Sequence, residues 1–153
     1  MTFKTATDSD DTNNRTEHLN TITLPVLHSP INEKDNKTDS SLFTDQLLSL
    51  DDYNGLFITP RIDALNFRHR MSEPNYVSDW HVAGDATLII IRSGVLRIGL
   101  RNGDHRDFNA GDMFVAKDHL QNDEEFDSEK HGHTAAVIGN EVLTAVHIKL
   151  SEV

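Results

Sequence analysis

The sequence predicts an all-β domain of the sandwich or barrel kind, on three observations. Short β-branched and apolar runs lie at 56–59, 62–67, 76–82, 86–92, 95–101, 113–116, 134–138 and 142–150, separated by turn signals. Asn102-Gly103 reads as a type I′ hairpin turn, whose two central residues both need positive φ, and joins run 95–101 to the strand that follows. Leu96, Ile98 and Leu100 alternate with Arg97, Gly99 and Arg101, which gives one buried and one wetter face. Closely spaced strands with little helix suit a sandwich or a barrel.

Residues 1–41 are expected to form a polar, partly disordered N-terminal arm. Roughly half of them are Thr, Ser, Asp or Asn, too little apolar surface to offset the entropy of ordering. Within the arm, 19–27 alternates (Leu19, Thr21, Thr23 against Ile22, Leu24) and predicts an edge strand that Pro25 terminates, available to a neighbouring subunit's sheet. Residues 41–50 suggest a short helix, with Ser41 as cap and Phe43, Leu47, Leu48 and Leu50 near one face. The barrel domain is expected over 42–153. Acidic residues 122–130 interrupt its strands and read as a solvated loop.

The 153 residues suit one domain and carry 25 acidic against 14 basic side chains, a formal charge of -11. That balance repels phosphate backbones and anionic membranes, so neither nucleic acid nor membrane is an expected partner. No run approaches the ~20 apolar residues that span a bilayer, and no apolar run follows a basic start, so a cytoplasmic location is the simplest expectation. There are nine histidines and no cysteine, which excludes disulfides and thiolate chemistry and leaves only imidazole and carboxylate to hold a metal. Ser-His-Asp order, phosphate loop and His-Glu-x-x-His helix are all missing, so hydrolase and kinase readings have no support.

Between 75 and 150 the sequence resembles the cupin superfamily, in particular small single-domain cupins with an Asp-Trp-His motif. The matching residues are Asp79-Trp80-His81, Ser93-Gly94, Asn102-Gly103, Arg106, Phe108, Gly111-Asp112, Asp118 and Gly132-His133. The resemblance implies an all-β double-stranded β-helix, the cupin jelly-roll barrel, with a small-molecule ligand in its pocket, and a homodimer. Metal-binding cupins place His-x-His, then Glu, then Gly in a first motif and a third His in a second, a set that suits Fe, Mn, Ni or Zn. Counted back from Gly94, that spacing falls on His81, Ala83 and Thr87, so two of four ligands are missing. The second motif's histidine falls on His133. Asn109 and Lys117 stand where cupins often have proline.

His131, two residues from His133, would face the same way on an extended strand and could supply a third nitrogen. The candidate metal set is therefore His81, His133 and His131, for one divalent ion or none. Asp118 and Asp85 are candidate carboxylate ligands or simple turn residues. Thr87 and Ile89 share a strand face and, with His81 and Asp118, are the expected ligand-binding residues. Trp80 is expected to pack on the face opposite His81, and Arg97 to be solvated or an anion anchor. His69 and His105 are expected to be exposed. His147, on a face with Leu143, Ala145 and Lys149, reads as a satisfied sheet histidine unless it points inward. Three functions fit: a small-molecule-binding cupin with an incomplete metal site; a metal-dependent oxygenase or isomerase; and a metal-free acid–base enzyme of the epimerase kind. The last needs a histidine hydrogen-bonded to a carboxylate near the pocket, and His133 with Asp118 is the available pair.

Overall fold

The computed structural model describes residues 20–151, so residues 1–19 of the partly disordered arm expected over 1–41 lie outside the described residues. Among these there is no helix, and hence none long and apolar enough to cross a membrane. The chain divides into two compact units. One comprises described residues 20–23 with Leu47–Arg61 and contains the hairpin of β5 (Asp51–Tyr53) and β6 (Leu56–Ile58). Its turn is Asn54-Gly55, with φ of 57° and 92°, the pair of positive values that a type I′ turn requires.

The other unit comprises Leu24–Gln46 with described residues 62–151 and holds the candidate site. Its strands are β7 (Ala64–Ser72), β8 (Thr87–Ser93), β9 (Val95–Gly99), β10 (His105–Phe108), β11 (Met113–Ala116), β12 (Thr134–Ile138) and β13 (Leu143–Leu150). With β1 (Thr21–His28) and β4 (Leu42–Ser49), one sheet runs β4-β1-β11-β8-β13-β7, and a second runs β10-β9-β12. Val77 extends the second sheet by a bridge to Ala136. From β7 onward the chain passes back and forth between the sheets: β7 in the first, Val77 in the second, β8 in the first, β9 and β10 in the second, then β11, β12 and β13 alternately. That winding is the double-stranded β-helix, a jelly roll. A small hairpin of β2 (Ile31–Asn32) and β3 (Lys37–Thr38) follows β1.

The inward residues of each strand recur at every second position, as the pleat demands. Leu96 and Ile98 of β9, Ile89 and Ile91 of β8, Phe114 of β11 and Leu143 and Ala145 of β13 form one buried cluster. Across the sheets Phe108 stacks on Phe114 with ring centroids 4.2 Å apart.

Three local expectations change. The stretch 41–50 contains strand β4, not a helix, because Phe43 packs on Phe108 and Phe114 while Asp45 forms an ion pair with Arg106 at 2.7 Å. Those partners meet residues two apart on one strand face, and tertiary contact overrides a weak helical period. The strand expected at 19–27 exists as β1, yet it lies inside the sheet between β4 and β11, with Val26 and Leu27 paired in parallel to Val115 and Ala116. The hairpin at Asn102-Gly103 joins β9 to β10, but only Gly103 has positive φ (87°), and Leu100 and Asp104 close it by a backbone bond of 2.8 Å. This is a longer loop ending in a left-handed glycine.

Candidate functional site

Antiparallel register sets one wall of the site. His147 of β13 pairs with Arg68 of β7 on one side and Ile89 of β8 on the other, and Lys149 pairs with Asn66 and Thr87. Arg70 lies opposite Ala145, which pairs with Ile91. Residues in register share a face, so Asn66, Arg68, Arg70, Thr87, Ile89, His147 and Lys149 present one surface. At the Ile91 and Leu143 end that surface is packed shut. At the other end it lines a cavity of about 300 Å³, with Ile89, Leu96, Ile98 and Phe114 among its apolar lining residues and His81 and His133 also at the wall. That volume is at the low end of the roughly 300–1,000 Å³ usual for ligand pockets.

His81 and His133 meet through a backbone bridge, each amide donating to the other's carbonyl at 3.0 and 2.9 Å, which brings their ring centroids to 4.5 Å. The close approach depends on Gly132, whose φ is 82° and where a Cβ would stand 2.4 Å from the His81 carbonyl oxygen. His133 Nδ1 lies 2.7 Å from Asp118 Oδ2. Asp118 is fully buried and also accepts bonds from the Ser41 hydroxyl at 2.8 Å and the Ala83 amide at 3.0 Å. Burial alone would push its carboxyl upward, but the His133 bond and charge, with the Ser41 and Ala83 bonds, outweigh burial and hold it below the ordinary carboxylate value.

The partners assign the tautomers. A carboxylate and a carbonyl only accept, so His133 donates from Nδ1 to Asp118, and His81 donates from Nδ1 to the Asp79 carbonyl at 2.8 Å. In the neutral form each ring keeps its lone pair on Nε2. His131 is the reverse. Its Nδ1 accepts the Asp127 amide at 3.0 Å, so its proton is on Nε2, which faces the Thr38 carbonyl at 3.3 Å and Glu124 at 3.4 Å.

The structure thus brings His81 and His133 together and does not bring His131 to them. Gly132 in the left-handed region breaks the alternation that would have aligned 131 with 133. Thr87 and Ile89 line the cavity, while Asp118 backs His133 from outside the lining. Asp85 is engaged by Lys149 in an ion pair. Trp80 lies under the Arg101 guanidinium, whose carbon is 3.5 Å from the ring centroid, and Arg101 also donates to the His131 carbonyl. Arg97 is bound bidentately by Asp107 at 2.7 and 2.8 Å.

With Ala83 and Thr87 at two ligand places of the metal-binding pattern, and no three His, Asp or Glu close enough to hold an ion among the described residues, the donors do not fit the four-ligand set. The His81 and His133 Nε2 atoms alone would hold a divalent ion weakly.

No motif in the sequence marks Arg68 or Arg70, and an inward His147 is only the exception to a satisfied sheet histidine. His147 lines the cavity, and its Nε2 is buried with no hydrogen-bond partner. Burial, then the charges of Arg70 and Arg68, holds its pKa below the ordinary imidazole value. The signal was present as alternation at 65–71, but with polar residues on the inner face.

No family model matches the chain, nor does any curated protein. Solved structures similar to it include a cupin domain from Bordetella pertussis Tohama I (8% identity, 85% of this chain and 98% of that one, TM-score 0.40). The Cnp3 cupin domain of Schizosaccharomyces pombe is similar at 13% identity, 85% and 84% coverage and TM-score 0.37. Protein NMB1881 from Neisseria meningitidis is similar at 14% identity, 60% and 84% coverage and TM-score 0.38.

Proposed function

We propose that this chain is a cupin that binds a small organic molecule in its barrel cavity and moves a proton on it without a metal, with His133 as the base. The observation that carries this reading is the bond from His133 to buried Asp118 at the cavity wall. Asp118 fixes the ring's orientation and proton, stabilises the imidazolium formed when Nε2 takes a proton, and is itself held ionised. His81, in ring contact with His133 and bearing the same tautomer, is the second group able to exchange a proton with the ligand. Ile89, Leu96, Ile98 and Phe114 supply apolar contact area for the ligand's carbon skeleton.

The test is proton exchange. The full chain is incubated in D₂O with a panel of small carbonyl compounds and sugar acids, and carbon-bound hydrogens next to carbonyl groups are followed by NMR. Exchange that His133→Gln slows by about 10²–10⁴-fold is the expected result. Exchange equally fast in His133→Gln, or none with any compound that stabilises the protein, would overturn the catalytic reading; stabilisation without exchange describes a binding module.

A homodimer through β7 also belongs to this reading. β7 is an edge strand, and its outward row exposes Leu65, Phe67 and Met71 at 61, 65 and 76%. An open apolar edge of this kind invites a second strand.

A further inference from the structure

We propose that the cavity takes a small organic anion whose carboxylate or phosphate group is held between Arg68 and Arg70 of β7 and hydrogen-bonded by His147 of β13. The inference rests on the cavity being the ligand site and adds the chemical class of the ligand.

Charge is the first argument. The chain carries -11 overall, yet the cavity lining contains Arg68, Arg70 and Lys149 against a single carboxylate, Asp85. Lys149 is paired with that carboxylate. Neither arginine has a carboxylate partner among the described residues; Arg70 donates Nε to the Ser72 hydroxyl at 2.9 Å and lies over the Tyr76 ring at 5.3 Å. Those contacts fix the Arg70 guanidinium and leave its terminal nitrogens to serve a ligand. Burial, offset only in part by Tyr76, weakens its hold on the proton, as for a cation drawn partly out of water. In a protein with 25 acidic side chains, two cavity-lining arginines, Arg70 half-buried and Arg68 exposed, with no acidic partner among the described residues point to a site whose negative charge arrives with the ligand.

Geometry is the second argument. Arg68 and Arg70 are two apart on one strand face, so their side chains leave the sheet side by side, roughly 7 Å apart at Cα. That spacing lets two guanidiniums close on one oxyanion. His147, in register with Arg68, adds the buried Nε2 that has no protein partner. A neutral imidazole protonated there would donate to the same oxyanion and satisfy that nitrogen. Because His133 lines the same cavity, a ligand anchored by its anionic end presents its remaining atoms to the paired histidines.

The experiment titrates the full chain with inorganic phosphate and, separately, with acetate, each against chloride at equal ionic strength. The readouts are the unfolding midpoint and the His147 ring resonances by NMR. The expected result is a saturable rise in midpoint with a His147 shift, weakened about tenfold or more by Arg68→Gln and by Arg70→Gln, and unchanged in the exposed Arg92→Gln. Phosphate acting alone identifies a phosphate ester, and acetate acting alone a carboxylate. Arg68 is exposed, so its substitution should leave the fold intact, and its variant decides if Arg70→Gln does not fold. His133→Gln should keep the anion response, which separates this inference from the proton-transfer reading. No saturable response to either anion, or one that Arg68→Gln leaves intact, would overturn it.

Discussion

Asp118 accepts three hydrogen bonds with no exposure to solvent, and it ties together His133, the Ser41 hydroxyl and the amide of Ala83. Its carboxyl is held below the ordinary value, so it contributes stability that is fully present above the unfolded value of ~3.9 and is lost as pH falls through the lower folded value. Asp118→Asn should therefore lose about 1.5–3 kcal/mol at neutral pH and show a shallower loss in acid, read by urea denaturation across the acidic range. Asp107 and Glu124 are also held low and keep part of the acid dependence in the variant; a profile parallel to the parent's would contradict the assignment. Gly132→Ala should cost roughly 2–4 kcal/mol from left-handed strain and the clash with the His81 carbonyl, and an unmoved denaturation midpoint would refute this. The places of His81 and His133 were legible because motif spacing marks them. The diversion of His131 was not, since it depends on a backbone angle at Gly132 that sequence alternation assumes away.

At the scale of elements, β7 shows how an inner polar face hides a strand. Its second half, Arg68 to Ser72, reads as charged and went beyond the run expected at 62–67, yet Arg68 and Arg70 point into the cavity while Phe67 and Met71 point out. Burial patterns identify strands by what they bury, and a strand lining a polar cavity buries nothing apolar there. The loop at 122–130 is likewise more than a solvated run. Glu124 accepts bonds from the Thr38 amide and hydroxyl and from the Gln121 amide, and it lies beside His131. Glu124→Ala should raise amide hydrogen exchange across 121–131 while leaving β8 and β13 protected. Uniform exchange in both proteins would show that the anchor carries no weight. Strand β9 was legible by its alternation, and β8, β11, β12 and β13 as short apolar and β-branched runs between turn signals. β4 was not, because its partners Phe108, Phe114 and Arg106 lie far along the chain.

For the whole molecule, a strongly acidic chain encloses a wall with unbalanced positive charge, and two histidines at that wall carry their protons on the nitrogens facing protein acceptors. The outer face of β7 is the other large-scale feature. On the proposed pairing through β7 the full chain should sediment as a dimer, and Phe67→Glu should leave the barrel folded and make it a monomer; a monomeric parent would overturn the proposal. Dimers that persist in this variant would place the interface elsewhere. Asp118 holds His133 with its proton on Nδ1, which leaves Nε2 as the proposed base of the cavity. Nitrogen-15 NMR of the histidine rings at mildly alkaline pH decides this. The expected spectrum is that of a neutral His133 protonated at Nδ1, with Nε2 unprotonated and the Nδ1 signal moved by Asp118→Asn; a His133 protonated at Nε2, or one indifferent to that substitution, would overturn the proposal.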